Sequence, residues 1–442
     1  MRKPLIPPPA GDLFKEVNAE SFPAIFQAVR DPLVDCRYLH WDELRQRTPP
    51  PGLSIRQWWF GIKMIRQNQY RALPLRDKSG QSFQYLLPDP IPARLHEIDR
   101  RASGFIEMPE QITNPETKDR YYVGSLIEEA ITSSQLEGAA TTRKVAKEMI
   151  RAGRRPRDRS ERMILNNFIT MKRIGALKDE PLTKELVLEI HRLVTEQTLD
   201  DASAAGRFRT DSEKIVVDDV YGQVYHDPPP ASQLEERMAA MCDFANGAPA
   251  GTFIHPAIRA IVLHFWLAYD HPFVDGNGRT ARALFYWSML HHKYWLCEYI
   301  SISNIIRKGA MRYQQAFLHT ETDDNDLTYF ILYHVEVIRR AVSQLHDYIR
   351  QKTEQLRKLQ SELRGVVVLN HRQRDLVSHA LRHPNQLYTC ESHRLSHNVV
   401  YETARRDLLD LAERGLLIAT KAGRAWRFCP APDLEQKLAR IS

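Results

Sequence analysis

Residues 271–282 hold the side chains of this chain that could do chemistry on a phosphate. The stretch reads His-Pro-Phe-Val-Asp-Gly-Asn-Gly-Arg-Thr-Ala-Arg. Gly276 and Gly278 allow the backbone to turn tightly and bring its N–H groups close to a ligand. The residues from Arg279 onward are typical of a helix. A glycine turn that opens a helix favours anion binding, because free N–H groups and the positive end of the helix dipole face the ligand together.

The charged side chains of the same stretch add to this picture. Arg279 and Arg282 are three positions apart, so on a helix they share one face and can hold successive phosphates. Asp275 offers hard oxygens of the kind that Mg²⁺ prefers. His271 can accept a proton near neutral pH. The set indicates a nucleoside triphosphate, a magnesium ion and a proton acceptor, although each piece alone also fits a capped helix with a solvated face.

Taken together, these residues resemble without departure the signature of the Fic family, His-Pro-Phe-x-Asp/Glu-Gly-Asn-Gly-Arg-x-x-Arg. The resemblance implies an α-helical fold and transfer of AMP from ATP to a hydroxyl side chain (Ser, Thr or Tyr) of a target protein or of the chain itself. It implies that His271 deprotonates that hydroxyl and that Asp275 holds Mg²⁺. The ATP-binding residues that the motif implies are Gly276, Asn277 and Gly278 for the α- and β-phosphates, and Arg279 and Arg282 for the β- and γ-phosphates.

Gly278 bears on the type of reaction. The related Doc kinases carry a lysine at this position, and the lysine goes with an inverted nucleotide and transfer of a phosphate. The glycine of this chain therefore favours adenylylation over phosphorylation.

A second motif precedes the first, at the end of a predicted helix over residues 121–138. Its last six residues, Ser-Ser-Gln-Leu-Glu-Gly, match the inhibitory pattern of Fic proteins, Ser/Thr-x-x-x-Glu-Gly/Asn. The inhibitory residues are Ser133, Glu137 and Gly138. Because the glycine is suited to end the helix, the carboxylate of Glu137 lies at the negative end of the helix dipole and needs a cation nearby. The resemblance implies that this cation is Arg282 and that the pair misplaces the γ-phosphate of ATP. The alternative is a frayed helix end with a solvated carboxylate.

Two helices must hold the main motif in place. His255-Pro256 opens the first, since proline suits the first turn of a helix, and its apolar stripe leads to His271. The stripe consists of Ile258, Ile261, Val262, Phe265 and Tyr269. The second apolar helix follows the motif, and the pair forms the predicted centre of the catalytic fold. The neighbouring histidines lack a plausible metal-ligand pattern, so we interpret them as structural; they are His255, His264, His291 and His292.

Residues 206–230, which we call the flap, predict a hairpin in an otherwise helical protein. Two runs with β-branched residues, 214–217 and 223–226, flank a turn, and three prolines end the segment. In Fic proteins a hairpin flap occupies this place and registers the target side chain at the catalytic histidine, as an exposed strand edge can do by main-chain pairing. The predicted target-binding residues are Ile215, Val216 and Val217. The alternative is an ordinary surface hairpin.

Residues 366–442 predict a separate C-terminal domain. A helix begins at His371, and a second helix over residues 400–409 follows a cap at residues 396–398. Two strands then flank a turn at residues 421–424. This order resembles a winged helix-turn-helix domain.

The charge of the C-terminal domain leaves its partner open. Between residues 366 and 430 ten Lys/Arg stand against six Asp/Glu, a net charge of +4. That charge permits contact with DNA phosphates but is small for a strong DNA binder. Arg405 and Arg406 are the candidate DNA contacts, and dimerisation or protein docking is the alternative.

Composition places the chain among ordinary globular proteins. It has 442 residues, of which 43% are hydrophobic and 26% charged, and a formal net charge of +7, which suits acidic partners such as nucleotides or DNA. Its five cysteines are scattered and show no Cys-x-x-Cys spacing, so neither a disulfide framework nor a structural zinc site is expected, and a reducing cytoplasm is the natural location. The N-terminus lacks the apolar core of a signal peptide, and no apolar run is long enough to span a membrane.

The sequence therefore predicts a mainly α protein with a Fic-fold helical core and a β-hairpin flap. The predicted domains are an N-terminal helical extension (1–100), the Fic catalytic domain with its inhibitory helix (101–345), a connecting helix (346–365) and the winged helix-turn-helix domain (366–442). The predicted function is a protein adenylyltransferase that uses ATP and Mg²⁺, is inhibited by Glu137, and can form a homodimer. Two alternatives are a nucleotide-sensing DNA-binding transcription regulator and removal of AMP by the same site. The target protein and the trigger that relieves inhibition do not follow from the sequence.

Overall fold

The computed structural model forms two compact units. The first comprises Met1–Gly104 and Ser125–Val342, and the second comprises Phe105–Gly124 and Ser343–Ser442. The residues described here are 2–19, 21–102, 115–218, 221–365, 369–422 and 425–441. The three residues 366–368, where the sequence predicts that the C-terminal domain begins, lie outside the described residues.

The N-terminal part of the first unit is helical, as predicted, with one hairpin added. Its elements are α1 (Ala10–Lys15), α2 (Ser21–Ala28), α3 (Trp41–Leu44), α4 (Ile55–Gln67), β1 (Arg71–Arg76), β2 (Ser82–Tyr85) and α5 (Pro90–Ala102). A capping box of Ser54 and Gln57 begins α4, which satisfies main-chain donors at both residues. The antiparallel strands β1 and β2 join at a turn in which Gly80 has a φ of 88°.

Buried charges tie this N-terminal part to the rest of the first unit. Lys63 on α4 donates to the fully buried carboxylate of Asp323 at 2.8 Å. Arg66, one turn later, is also fully buried and donates to the hydroxyl of Tyr329 and to the carbonyl of Leu39, both at 2.9 Å. Isolated buried charges are costly, so these groups depend on one another across about 260 positions of the chain.

The centre of the first unit is a helical core. Its elements are α6 (Pro115–Leu136) from Ser125 onward, α7 (Arg143–Ala152), α8 (Arg159–Leu177), α9 (Lys184–Thr195), β3 (Val217–Asp218), β4 (Val224–His226), α10 (Leu234–Ala245), α11 (Pro256–Asp270), α12 (Asn277–His291), α13 (Ile302–Lys308), α14 (Ala310–Thr322) and α15 (Thr328–Gly365) as far as Val342. Nearly every residue of α11 and α12 is buried, so this pair is the hydrophobic centre, as the apolar pattern predicts. His255 caps α11 by accepting the N–H of Ala257, which is a structural role.

The second unit combines helices with a small sheet. Its elements after α15 are α16 (His371–Arg382), β5 (Tyr388–Thr389), α17 (Cys390–His397), α18 (Tyr401–Glu413), β6 (Leu417–Ala422), β7 (Ala425–Pro430) and α19 (Leu434–Ile441). The three antiparallel strands lie in the order β5-β7-β6. Leu408, Leu411 and Phe428 are fully buried in its core. The helix that begins at His371, the helix over Tyr401–Glu413 and the two strands that follow it agree with the prediction, while membership of the winged-helix class stays a prediction.

The prediction that residues 396–398 cap the second helix of this unit is wrong. Ser396 and His397 belong to the additional helix α17, and Asn398 ends that helix in the left-handed conformation with a φ of 50°. Helix α18 begins after Val400 without a side-chain cap. The eight residues of α17 contain too few apolar positions to reveal a helical period.

The fold as a whole is mainly α, as predicted. Across the part of the chain that the structure describes, no helix has both the length and the apolar character needed to span a membrane.

We expect Lys63→Met to lower the free energy of unfolding by about 3 kcal/mol, because the buried carboxylate of Asp323 loses its nearest cation. The double variant with Asp323→Asn should recover part of this loss, since the unpaired charge is then removed as well. Urea denaturation measures both.

The exposed pair of Arg37 and Glu43 supplies a matched control. Arg37→Met should change the free energy of unfolding by less than about 1 kcal/mol. If Lys63→Met lowered the free energy of unfolding by no more than Arg37→Met does, the buried pair of Lys63 and Asp323 would not be needed for stability.

Candidate functional site

A cleft of about 310 Å³ opens where α11 meets α12. Its walls are His271 and residues 274–278 of the main motif, residues 214–216 of the flap, and Glu137. The structure therefore brings together three stretches that the sequence singled out independently, from positions up to 141 residues apart (278 minus 137).

His271 ends α11 in the left-handed conformation, with φ 45° and ψ 55°. Its N–H donates to the carbonyl of Leu267, and its ring Nδ1 lies 3.3 Å from the carbonyl of Ala268. Because a carbonyl only accepts, Nδ1 carries the proton in the neutral ring and Nε2 keeps its lone pair. Burial lowers the pKa of His271 to about 4, so the ring is neutral at physiological pH.

The turn after His271 is closed by its own side chains. Asn277 accepts the N–H of Phe273 at 3.0 Å and donates to the carbonyl of the same residue at 2.8 Å. Gly276 has a φ of 83°, and a Cβ atom there would meet the side chain of Thr195 at 2.6 Å. Only glycine fits, and the main-chain N–H groups at the start of α12 are the anion-binding groups that this turn offers.

The two arginines of the motif contact different neighbours, although the sequence predicts that they share one face of the helix. Arg279 is fully buried and donates to the carbonyl of Val194 on α9 at 2.8 Å. Its Nε and Nη2 have no hydrogen-bond partner among the described residues, and Nη2 lies 3.5 Å from the carboxylate of Asp275. Burial lowers the pKa of Arg279. Buried donors without a partner are unfavourable, so this guanidinium is suited to an anion entering the cleft.

Arg282 is held by the inhibitory motif. Its Nε donates to the hydroxyl of Ser133 at 2.8 Å, and its Nη2 donates to the carbonyl of the same serine at 3.0 Å. Nη2 also donates to the carboxylate of Glu137 at 2.9 Å. The guanidinium is 2% exposed and the glutamate side chain 26% exposed. The contact expected between Glu137 and Arg282 is therefore present.

Gly278 lies directly under this ion pair. A Cβ atom at Gly278 would overlap the Glu137 carboxylate and would lie 3.1 Å from a nitrogen of Arg282. Any side chain at this position would displace Glu137. Gly138 ends the inhibitory segment with a φ of 90°, as the motif predicts.

Asp275 is the exposed carboxylate of the cleft, with 40% of its side chain accessible. One oxygen accepts the N–H of Gly276, and the other lies 3.5 Å from Arg159 on α8. Among the described residues there is no cluster of three or more His, Cys, Asp or Glu that could hold a metal by itself. A magnesium ion here would need oxygens from a bound phosphate, which is how Mg²⁺ commonly binds beside one or two carboxylates.

The flap is a short hairpin at the mouth of the cleft. Val217 pairs with His226 and Asp218 with Val224. Ile215 and Val216 line the cleft, whereas Val217 lies in β3 and is not among the described residues that line it.

Sequence reasoning missed two residues that support the site. Glu129 on α6 is buried and accepts hydrogen bonds from the hydroxyls of Tyr286, Ser301 and Ser303. His191 on α9 stacks on Phe273 with ring centroids 3.7 Å apart. Glu129 could have been found from the sequence, because it is an acidic residue that interrupts the apolar stripe of α6. His191 has no such signal in the sequence, since the residues it contacts are distant along the chain.

The predicted DNA contacts lie on α18. Arg405 donates to Glu402 at 3.0 Å, while Arg406 is exposed. The thirteen residues of α18 contain these two arginines and four acidic residues, so this helix carries a net negative charge. Nothing in this arrangement favours DNA.

Comparison with known proteins shows which family part of this chain resembles. Residues 181–289 match the Fic/DOC family. A protein of Nematostella vectensis named Protein adenylyltransferase Fic is 30% identical over 218 residues, which cover 49% of this chain and 46% of that protein. A protein of the same name from Drosophila melanogaster is 28% identical over 268 residues, covering 59% and 50%. The chain thus spans about half the length of these relatives.

The fold has a solved counterpart. The crystal structure of a Fic family protein from Desulfovibrio desulfuricans G20 superposes with a TM-score of 0.50 at 19% identity, covering 77% of this chain and 94% of that one. At this identity the likeness concerns the fold alone. The motif, the geometry of the cleft and the matching segment agree, and residues 181–289 are similar to the Fic/DOC family.

Proposed function

We propose that this chain is a protein adenylyltransferase that transfers AMP from ATP to a protein hydroxyl and is inhibited by its own Glu137. The observation that carries the proposal is the cleft itself, which unites a neutral histidine, a glycine turn at a helix N-terminus and a carboxylate. The name of the relatives, Protein adenylyltransferase Fic, supports the same activity.

The transfer assigns a role to each wall of the cleft. The hydroxyl oxygen of the target forms a bond to the α-phosphorus of ATP, and its proton passes to Nε2 of His271. The bond from the α-phosphorus to the bridging oxygen breaks, and pyrophosphate leaves. The N–H groups of residues 276–278 and the guanidiniums of Arg279 and Arg282 stabilise the negative charge of the phosphates. Ile215 and Val216 present the target segment.

Asp275 is the residue that would hold Mg²⁺. The residues fit the ion because a half-exposed carboxylate faces the phosphate-binding turn and is engaged only at one oxygen by a short hydrogen bond. The ion would supply neutralisation of phosphate charge. The two arginine contacts of Asp275, at 3.5 Å each, are long enough to yield to it.

Inhibition follows from competition for one guanidinium. Both the Nε and the Nη2 of Arg282 are engaged by residues of the inhibitory segment, so the γ-phosphate cannot take them without displacing Glu137. The pair is buried on the arginine side and partly exposed on the glutamate side, which lets the carboxylate turn away while the arginine stays in place. A cytoplasmic location belongs to this proposal and rests on the scattered cysteines.

We expect label from ATP to reach protein when it is on the α-phosphate and not when it is on the γ-phosphate. Gly278 in place of lysine is the reason. Mass spectrometry of the modified protein should find added AMP, and an added phosphate alone would place this chain with the kinases.

His271→Ala should abolish transfer and leave ATP binding largely intact, because the ring is not part of the phosphate-binding turn. A His271→Ala variant that labels protein as well as its parent would contradict the role of the base.

We expect Glu137→Gly to raise AMP transfer on the order of a hundredfold, because it frees Arg282 for the γ-phosphate. The double variant Glu137→Gly with Arg282→Ala should fall back, since the released guanidinium is then missing. Initial rates at saturating ATP and Mg²⁺ measure the effect.

A matched control lies on α6, the helix that leads to Glu137. Glu128 pairs with Arg143 and Lys147 and does not engage Arg282. Glu137→Gln should activate and Glu128→Gln should not. Equal labelling by wild type and Glu137→Gly would end the inhibition hypothesis and leave the catalytic assignment in place.

A further inference from the structure

Two cations at the two ends of the flap hairpin reach the same helix end. Arg209, eight residues before β3, is 8% exposed. Its Nε donates to the carbonyl of His271 at 2.9 Å, and its main-chain N–H donates to the carbonyl of Pro272 at 2.8 Å. Its Nη2 donates to the carbonyl of Pro229, where the flap ends, and lies 3.5 Å from the carbonyl of Asp270. One guanidinium thus joins both ends of the flap to the last turn of α11.

His226, the last residue of β4, joins the same helix end from the other strand. It is 9% exposed, with Nε2 2.6 Å from the carbonyl of Tyr269 and Nδ1 2.7 Å from the carboxylate of Glu321. Both partners only accept hydrogen bonds, so satisfying both requires a proton on each ring nitrogen. Burial opposes the charged ring, but Glu321 outweighs it and the pKa of His226 is raised.

The carbonyls that these cations hold are the ones that a helix leaves without a partner. The last carbonyls of a helix have no N–H within the helix and carry a partial negative charge, so a buried cation stabilises them. The next residue is His271, which is left-handed and not a glycine. Such a backbone conformation persists only where its surroundings fix it.

We propose that Arg209 and His226, which we call the flap clamp, are positioning residues that fix the flap and the backbone of His271 as one body, so that a target seated on the flap is in register with the base. The inference rests on the proposed function. Neither residue touches the reacting atoms; both act through main-chain carbonyls of α11 and the following turn. Their effect falls on the transfer step and not on ATP binding, because neither contacts residues 276–282.

The flap clamp also sets the charge around the base. The groups facing His271 are the Ala268 carbonyl of α11, the cations Arg209 and His226, and Glu137 after α6. The groups facing His226 are Glu321 on α14, the Tyr269 carbonyl and the Asp270 carboxylate of α11, Asp227, and Lys78 in the turn between β1 and β2. Both clamp residues lower the pKa of His271. Removing one cation therefore raises that pKa. Because looser packing would lessen the burial of His271 and raise its pKa as well, the comparison with a matched control variant decides between the two causes.

The test uses the full chain with Glu137→Gly as the parent, and compares His226→Gln, Arg209→Lys and Glu321→Gln. Thermal melts confirm that each variant folds. We expect kcat for transfer of α-labelled AMP to fall roughly tenfold to a hundredfold in His226→Gln, with KM for ATP nearly unchanged. Arg209→Lys should fall less, because an ammonium can still reach one carbonyl. NMR titration should show a higher pKa for His271 in His226→Gln.

Glu321→Gln gives a separate pH signature with the ring of His226 intact. The doubly donating form of His226 is complete below its folded pKa and is lost as pH rises through that value. Loss of the carboxylate lowers this pKa, so transfer should decline at a lower pH than in the parent and approach the parent rate in more acidic buffer. If His226→Gln does not fold, the pH dependence of transfer in Glu321→Gln tests the proposal instead.

Arg207 is the matched control. It lies two residues before Arg209 and is also a paired cation, but its partners are Glu213 and Asp201 and not α11. Arg207→Lys should leave kcat and the His271 pKa unchanged. An unchanged kcat in His226→Gln and Arg209→Lys, or an equal fall in Arg207→Lys, would overturn the proposal.

The failure of the proposed function would be seen separately, as a folded parent that transfers no AMP. The flap clamp is then judged by NMR alone. A His271 pKa that is raised in His226→Gln but not in Arg207→Lys supports it, and a pKa that is the same in the parent, His226→Gln and Glu321→Gln overturns it.

Discussion

The guanidinium of Arg282 is the group on which the site depends. It is 2% exposed, and a charge so deeply buried must have anionic or carbonyl partners at all times. Ser133 supplies two of them and Glu137 the third. Any ligand that needs this guanidinium must therefore bring its own negative charge and replace the carboxylate. Under the proposed function, inhibition and phosphate binding are two ways of satisfying the same buried cation.

The helix that carries the inhibitory glutamate is itself part of the core. Glu129 on α6 is buried and holds hydroxyls from α12, from the residue before α13 and from α13 itself. The hydroxyl of Ser134 donates to the carbonyl of Met163 on α8. Moving the whole helix away would leave the hydroxyls of Tyr286, Ser301 and Ser303 without this buried acceptor. Under the proposed function, relief of inhibition would therefore be a movement of the Glu137 side chain, next to a glycine that can change its conformation at little cost.

The sequence reveals the parts of the site that are continuous in the chain. Residues 271–282 and 133–138 could be recognised because residue types at fixed spacing carry the signal. The inward turn of Arg279 to Val194 and the use of the Asn277 side chain within the loop could not, since both depend on tertiary contacts. The same holds for the flap clamp, whose residues lie 62 and 43 positions from the carbonyls they hold. In the second unit, helix α17 could not be predicted from the sequence because its residues are mostly polar.

The charges around His271 link nucleotide binding to the strength of the base. In the inhibited cleft burial holds its pKa at about 4, with the cations Arg209 and His226 lowering it and Glu137 raising it. A base with so low a pKa is neutral but accepts a proton weakly, and catalysis is favoured by a pKa nearer the working pH. Under the proposed function, a triphosphate that replaces Glu137 brings several negative charges where one carboxylate stood, and negative charge beside His271 raises its pKa.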